Sequence, residues 1–515
     1  MPHRRLILQS AGQIRPLTAH CPGLAHAFSA CLALATLLVL PGCGGDDPAS
    51  PPPDGPDLPP PAPPVPAYTW DPADFAHVYE VGPGQAYADP SAVPWEALAP
   101  STLVRIHWRA EPYRTKWVIN TAASADSPLV VLGMPDAGRR PVISGENATT
   151  RLALSYWNED RSVVKVGGSN LPRDDVVPSH VYVQGLDIRA ARPPYGFTDD
   201  AGAAGTYRDN AAAVHVEIGT HVVVHDCLLH DAGNGLFAGA QTSDLVVSAN
   251  YVFDNGIDGS IYHHNSYTEC RGITFEFNRY GPLRAGALGN NLKDRSSGTV
   301  IRYNWIESGN RQLDLVETDY DHIRDDPGYA ATFVYGNVLI EPDGAGNSQI
   351  AHYGGDGGDE SYYRRGTLHF YHNTVVSTRA GNTTLLRCAT NDVTVDARDN
   401  VVFATAGGTY LAITSGRGQI TLTDNWLPSG WRPTHEATLE GTVADAGNLT
   451  GTEPGFADLA GQDFRPGPAS PCLDAAGPLA TAAAAACPVD LQYVPHLGSA
   501  SRPADGRLDV GALDR

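Results

Sequence analysis

The chain has 515 residues, with 57 acidic side chains against 35 of Lys plus Arg and a net charge of −22. So acidic a chain has no global field to attract phosphate, which argues against nucleic acid as a partner. Eight cysteines occur with no CxxC pair and no His/Cys cluster at zinc spacing, which argues against a zinc domain.

Residues 1–42 read as a secretory signal: Arg4, Arg5 and Arg15 give a positive start, and residues 24–40 form an apolar stretch. Gly42-Cys43 resembles a bacterial lipobox, which implies lipidation of Cys43 and attachment to a membrane of the bacterial cell envelope. An uncleaved anchor and ordinary cleavage are the alternatives. Removing the segment takes three arginines and no acid, so the mature chain is more acidic still. Residues 43–74 form a Pro-rich tether with little to bury, an extended spacer. The body spans 75–465, and 466–515 is expected to be a capping segment. There Cys472 and Cys487 lie close together in a loop-like stretch, a disulfide candidate in an exported protein. Cys227, Cys270 and Cys388 sit in strand-like runs and read as small buried hydrophobes.

The body is periodic. A short β-branched or aromatic run, a polar residue and an Asn recur at Asn250, Asn278, Asn304, Asn337, Asn373, Asn400 and Asn425, with Asp226 an earlier member. The spacings are 24, 28, 26, 33, 36, 27 and 25 residues. Such repeats mean solenoids or propellers, and the absence of helical periodicity excludes helical solenoids. About 25 residues hold three short strands and three turns, too few for a four-stranded blade. The expectation is an all-β, right-handed, single-stranded parallel β-helix of about ten coils. The recurrent Asn would occupy turns, where its side chain tolerates left-handed backbone and can bond the next coil. The long spacings at 337 and 373 imply loops inserted into single coils.

The body resembles the parallel β-helix superfamily of carbohydrate-active proteins. The resemblance is carried by residues 102–145 and, in the tail, by Ser470-Pro471-Cys472-Leu473-Asp474, Arg502 and 509–512.

Position −12 from the repeat Asn holds Val214, Ala238, Leu292, Cys388 and Ile413, all apolar and so expected to face inward. Alternation then turns Asn291, Lys293 and Arg295 outward, with Tyr262 and His264 in the coil before and Gln312 and Asp314 in the coil after. Rungs lie about 4.8 Å apart, so these residues should share one polar patch. Between 279 and 311 six basic residues (Arg279, Arg284, Lys293, Arg295, Arg302, Arg311) face two acids. A basic strip on an acidic protein suits docking of an anionic glycan, with Arg302 and Arg311 as further substrate contacts. Only three lysines occur, at 116, 165 and 293. Unlike arginine, a crowded lysine can lose its proton.

The stretch Asn291-Leu292-Lys293-Asp294-Arg295, running into Ile301-Arg302-Tyr303-Asn304, is similar to β-helix polysaccharide lyases of the alginate lyase and chondroitinase B type. The resemblance implies that Lys293 abstracts the proton beside a uronate carboxylate, with an arginine one rung on and calcium on the carboxylate. That arginine is missing: Val316 stands near its place, leaving Arg295 or Arg311 to substitute, and Arg295 and Asp314 as further catalytic candidates. The alternative for Lys293 is a surface lysine paired to Asp294 or Asp314. Tyr262 suits sugar stacking. Two acidic loops suggest calcium, one with Asp319, Asp321, Asp325 and Asp326, the other with Asp356, Asp359 and Glu360 among glycines; a solvated loop is the alternative. His352, His369 and His372 in the inserted coils are weak metal-ligand candidates. The leading expectation is a monomeric exported lyase acting on an anionic, uronate-containing polysaccharide. A glycoside hydrolase would need paired carboxylates, a role into which Asp258 and Asp314 could be forced, though the paired-Asp and Gly-His-Gly motifs of that branch are absent. A non-catalytic glycan-binding or structural lipoprotein is the third reading.

Overall fold

The computed structural model describes residues 68–169, 176–503 and 506–515, all within one compact unit, Pro59–Arg515. The signal segment, Cys43 and the tether up to residue 67 lie outside the described residues. Strands mostly of two to six residues, ended by turns, redirect the chain too often for a flat sheet. They wind instead. Leu292–Asp294, Ser297–Arg302 and Trp305–Glu307 make one coil. Each pairs in parallel with its counterparts in the neighbouring coils: Leu292 with Ser266 and Leu313, Thr299 with Ile273, Trp305 with Arg279 and Val338. Eleven third strands stack into one sheet, from Val142–Ser144 to Leu449–Gly451. The chain is a parallel β-helix, with eleven rungs among the described residues where about ten are expected.

The apolar residues at position −12 all point inward, with Val214, Ala238, Leu292, Cys388 and Ile413 buried. Asn250, Asn278, Asn304, Asn337, Asn373, Asn400 and Asn425 are buried and stacked, and Asn448 extends the series. Each Oδ1 accepts from the backbone N–H and the Nδ2 of the Asn one rung earlier, at 2.8–3.1 Å. Two expectations are corrected. The left-handed residue is the one before each Asn: Ala249, Phe277, Tyr303, Gly336, His372, Asp399 and Asp424 all have φ between 48° and 65°. Asp226 (φ 51°) belongs to that set, and Cys227 takes the ladder position, its N–H donating to Asn250 Oδ1.

The tail runs along a flank rather than over the end of the solenoid. Phe464, Tyr493, Val510 and Leu513 cluster with Tyr303, Trp305, Tyr371 and Trp426. Tyr371 Oη donates to the Cys487 carbonyl (2.7 Å), and the Ala512 N–H donates to Thr374 Oγ1 (2.9 Å). The last of the second strands, Thr442–Ala446, is left largely exposed. The expected Cys472–Cys487 disulfide is not formed. Both thiols are free and buried, with Cys472 Sγ against the Pro454 carbonyl.

Candidate functional site

The first strand of each coil builds the wall on which the expected site was placed. Its outward residues stand directly opposite one another, rung by rung: Lys165, His215, Phe237, Tyr267, Lys293, Asp314, His352 and Arg387. In the strand Leu292–Asp294 the alternation is strict. Leu292 enters the apolar interior, Lys293 leaves it, and Asp294 enters again. Asp294 is tolerated inside because Thr268, Ser296 and Thr299 hydroxyls donate to it at 2.6–2.8 Å, and Arg364 lies 3.6 Å away. Arg364 is itself fully buried, donating to the Ser296 and Val316 carbonyls. It pins the inserted loop 354–365 beneath the wall.

That loop closes the site from outside. Its glycines allow a tight path (Gly354 has φ 127°), and Glu317 accepts the N–H groups of Asp356 (2.9 Å) and Gly357 (2.5 Å). Asp356 is thereby presented to two cations. Its Oδ2 accepts from Lys293 Nζ at 2.7 Å and its Oδ1 from Arg295 Nη2 at 3.1 Å. Lys293 Nζ also donates to Asp314 Oδ2 (2.6 Å), leaving the lysine side chain 8% exposed and Asp314 1%. Asp314 is gripped further by Asn290 Nδ2 (2.7 Å) and by His352 Nδ1 (2.8 Å), with Arg311 3.8 Å away.

These contacts fix the charges. Burial alone would push the Asp314 carboxyl up, but the His352 hydrogen bond and the Lys293 charge outweigh it and hold it well below the usual carboxylate range. Burial alone would lower the Lys293 ammonium; Asp314 and Asp356 reverse that and raise it. Asp356 is lowered in the same way, its burial overcome by Lys293 and Arg295. Burial lowers His352 despite the pull of Asp314, so the ring is neutral at neutral pH. Its Nδ1 must then carry the proton, since an ionised carboxylate can only accept. His352 Nε2 is buried with no hydrogen-bond partner among the described residues.

Of the expected site residues, Lys293, Arg295, Asp314 and Arg311 come together, joined by Asp356 as an ion-pair partner rather than a metal ligand, and the others do not. Arg295 donates to Tyr267 Oη (3.1 Å) and to the Glu317 carbonyl as well as to Asp356. Arg311 turns toward Gln349 Oε1 (2.8 Å). Asn291 and Gln312 fold inward at the turn before the strand: Asn291 accepts from Asn265 Nδ2 (2.7 Å), and Gln312 donates to Glu341 (2.7 Å). Alternation fails there because a turn, not a strand, sets the direction. Tyr262 stands on a loop, 73% exposed, because the strand of its coil begins only at Ser266; Tyr267 holds the rung beside Lys293. His264 is buried beside the wall and accepts from the Asn290 N–H; burial and then Lys293 push it down to about 3. Arg302 lies on the next strand, paired to Glu276 (2.6 Å) and Tyr335, not on the wall. The basic strip therefore breaks up: Arg284 pairs with Asp231, and Arg279 stacks over Tyr251.

The calcium expectation is not supported. Asp356 is committed to Lys293 and Arg295, Asp359 accepts from its own Ser361, and Glu360 lies 3.7 Å from Arg417. Among the described residues no three His, Cys, Asp or Glu side chains converge on a common metal position. Of the other acidic loop, Asp321 opens a short helix and Asp326 caps the next turn. Asp258 bridges to Ala287 on a loop, off the wall. Reasoning from sequence missed Tyr267, Asn290 and Arg387, and weighed His352 only as a metal ligand. The apolar–polar–apolar triplets Leu313-Asp314-Leu315 and Ala351-His352-Tyr353 carried the signal.

No protein-family model matches the chain, and no curated protein matches it significantly. Solved structures do. A pectate lyase is 12% identical over 86% of this chain and 97% of its own, with a TM-score of 0.45. An alginate lyase from a Paenibacillus species is 9% identical over 67% and 97%, with a TM-score of 0.43. A lacto-N-biosidase from Eubacterium ramulus is 11% identical over 73% and 68%, with a TM-score of 0.45. What this chain has in common with them is the parallel coil already evident in its own strand pairing.

Proposed function

We propose that this is an exported protein of the bacterial cell envelope, lipid-anchored through Cys43, that binds and cleaves a uronate-containing polysaccharide by β-elimination. One observation carries the reading: Lys293 Nζ and Arg295 Nη2 grip the two oxygens of a single carboxylate, at 2.7 and 3.1 Å. The carboxylate in place is that of Asp356, on a glycine-rich loop and 37% exposed. A uronate presents the same group, and a cation pair at this spacing suits it. Elimination needs that carboxylate neutralised, so that charge developing at the neighbouring carbon is stabilised. Lys293 was expected to be the base. Held as an ammonium by two carboxylates, it fits the electrostatic role better, and a substrate carboxylate replacing Asp356 would keep it charged. A hydrolase is disfavoured because Asp314 and Asp356 are both held low, whereas a general acid must be raised.

The test is a panel of alginate, pectate and chondroitin, read by the ultraviolet absorbance of unsaturated product and by affinity electrophoresis. Wild type should form unsaturated ends on one of them, and Lys293→Ala should lose both retention and turnover. Retention without product would identify a glycan-binding protein instead. Equal retention by wild type and Lys293→Ala would refute the carboxylate grip.

A further inference from the structure

We infer that the proton acceptor of this wall is His352 Nε2, oriented by Asp314. The inference rests on the polyuronate reading above and names the base it lacks. Asp314 and His352 face each other on adjacent rungs, and Nδ1 lies 2.8 Å from Asp314 Oδ1. Asp314 is immobilised by Lys293, by Asn290 and by its own burial, so the imidazole is held in one tautomer and one orientation. Nε2 is left as a bare lone pair, buried and without a hydrogen-bond partner among the described residues, a cost in stability that calls for a functional reason. A carboxylate that orients an imidazole while its far nitrogen stays free is the arrangement that makes histidine a general base.

The groups facing the ring are Asp314 on one side, Arg387 on the next rung, and Arg311 from the turn before. Arg387 is exposed, and its side chain makes no hydrogen bond or ion pair among the described residues, so it is free to yield to a bound chain. The step balances. With the uronate carboxylate on Lys293 and Arg295, Nε2 takes the proton from the carbon bearing that carboxylate. The C–H electron pair becomes the new carbon–carbon double bond, and the bond to the glycosidic oxygen breaks. The imidazolium then returns the proton to the departing oxygen, leaving the enzyme as it began. No external oxidant or reductant is needed.

The experiment compares wild type, His352→Ala and Lys293→Arg on the cleaved polyuronate, with kcat and KM separated and with imidazole added to the alanine variant. His352→Ala should lose about 10²–10⁴-fold in kcat, the usual worth of a general base, with KM within threefold. Free imidazole should restore part of the rate, which a merely structural role would not allow. Independently of any substrate, isotope-edited NMR of wild type should find His352 in the Nδ1–H tautomer, and Asp314→Asn should remove that preference. An active wild type whose His352→Ala keeps its kcat, or an Nε2–H tautomer, overturns the inference alone. Absence of unsaturated product from wild type on every polyuronate overturns the functional reading and this step with it.

Discussion

Asp356 occupies the place assigned to a substrate carboxylate, so neutralising it should make the protein a better binder. In Asp356→Asn the loop keeps its anchors, since Arg364 is buried beneath it and Glu317 still accepts the two backbone N–H groups. What disappears is the charge that satisfies Lys293 and Arg295. The Asp356 side chain is 37% exposed, so its two contacts belong with partly solvated ion pairs, worth about 0.2–1 kcal/mol each. Substrate binding then no longer has to displace roughly 0.5–2 kcal/mol of resident interaction. At about 1.4 kcal/mol per decade, a uronate oligomer should bind roughly 2–30-fold more tightly. Isothermal titration with an oligouronate, on both proteins and at two salt concentrations, measures this directly. An unchanged or weaker affinity in Asp356→Asn would show Asp356 to be part of recognition, and the reasoning from occupancy would fail.

Asn304→Ala removes the acceptor of the Asn278 N–H and Nδ2 and the donor to the Phe275 carbonyl, all buried. Orphaned groups cost about 1–3 kcal/mol each, so with partial relaxation a loss of roughly 3–5 kcal/mol is expected in chemical denaturation; a loss under about 1 kcal/mol contradicts the ladder's role. Lys293→Ala should destabilise by about 3–5 kcal/mol at pH 7, because Asp314 stays buried with its nearest cation gone and only Arg311, 3.8 Å away, left to balance its charge. The sign of its pH dependence is fixed. Asp314 is lowered on folding, so its contribution is present above the unfolded value near 3.9 and is lost as pH falls toward its folded value. The gap between wild type and variant should therefore shrink as pH falls below about 4, and a constant gap from there down to about pH 2 would count against the buried pair.

The solenoid was legible because its signal repeats: an Asn every two to three dozen residues followed by a short β-branched strand is stated seven times over. Lys293 and Arg295 were legible for the same reason, lying in the regular coil that ends at Asn304; Asp314 was legible only from the apolar Leu313 and Leu315 on either side of it. What escaped the sequence came from turns and insertions. Counting outward from Leu292 reaches Lys293 correctly but carries Asn291 past the strand's end into a turn that folds it inward. The insertions 316–330 and 354–365 separate the wall strands from the next Asn, so counting back from Asn337 or Asn373 misses Asp314 and His352. The charge of the 279–311 strip misled because its partners, Asp231 and Glu276, come from earlier coils. Asp356 is far from Lys293 in sequence, and only its loop's anchorage brings them together.

The tail's position bears on how such a molecule fails. A stack whose members touch only their neighbours can fray from either end, losing one unit at a time. Here the stretch from Phe464 to Leu513 lies across several units at once, like a splint bound along a segmented rod, from Tyr303 and Trp305 to Trp426. Loosening any one of those units disturbs contacts shared with the others, so the half of the rod that carries Lys293, Asp314 and His352 holds together or comes apart as a piece.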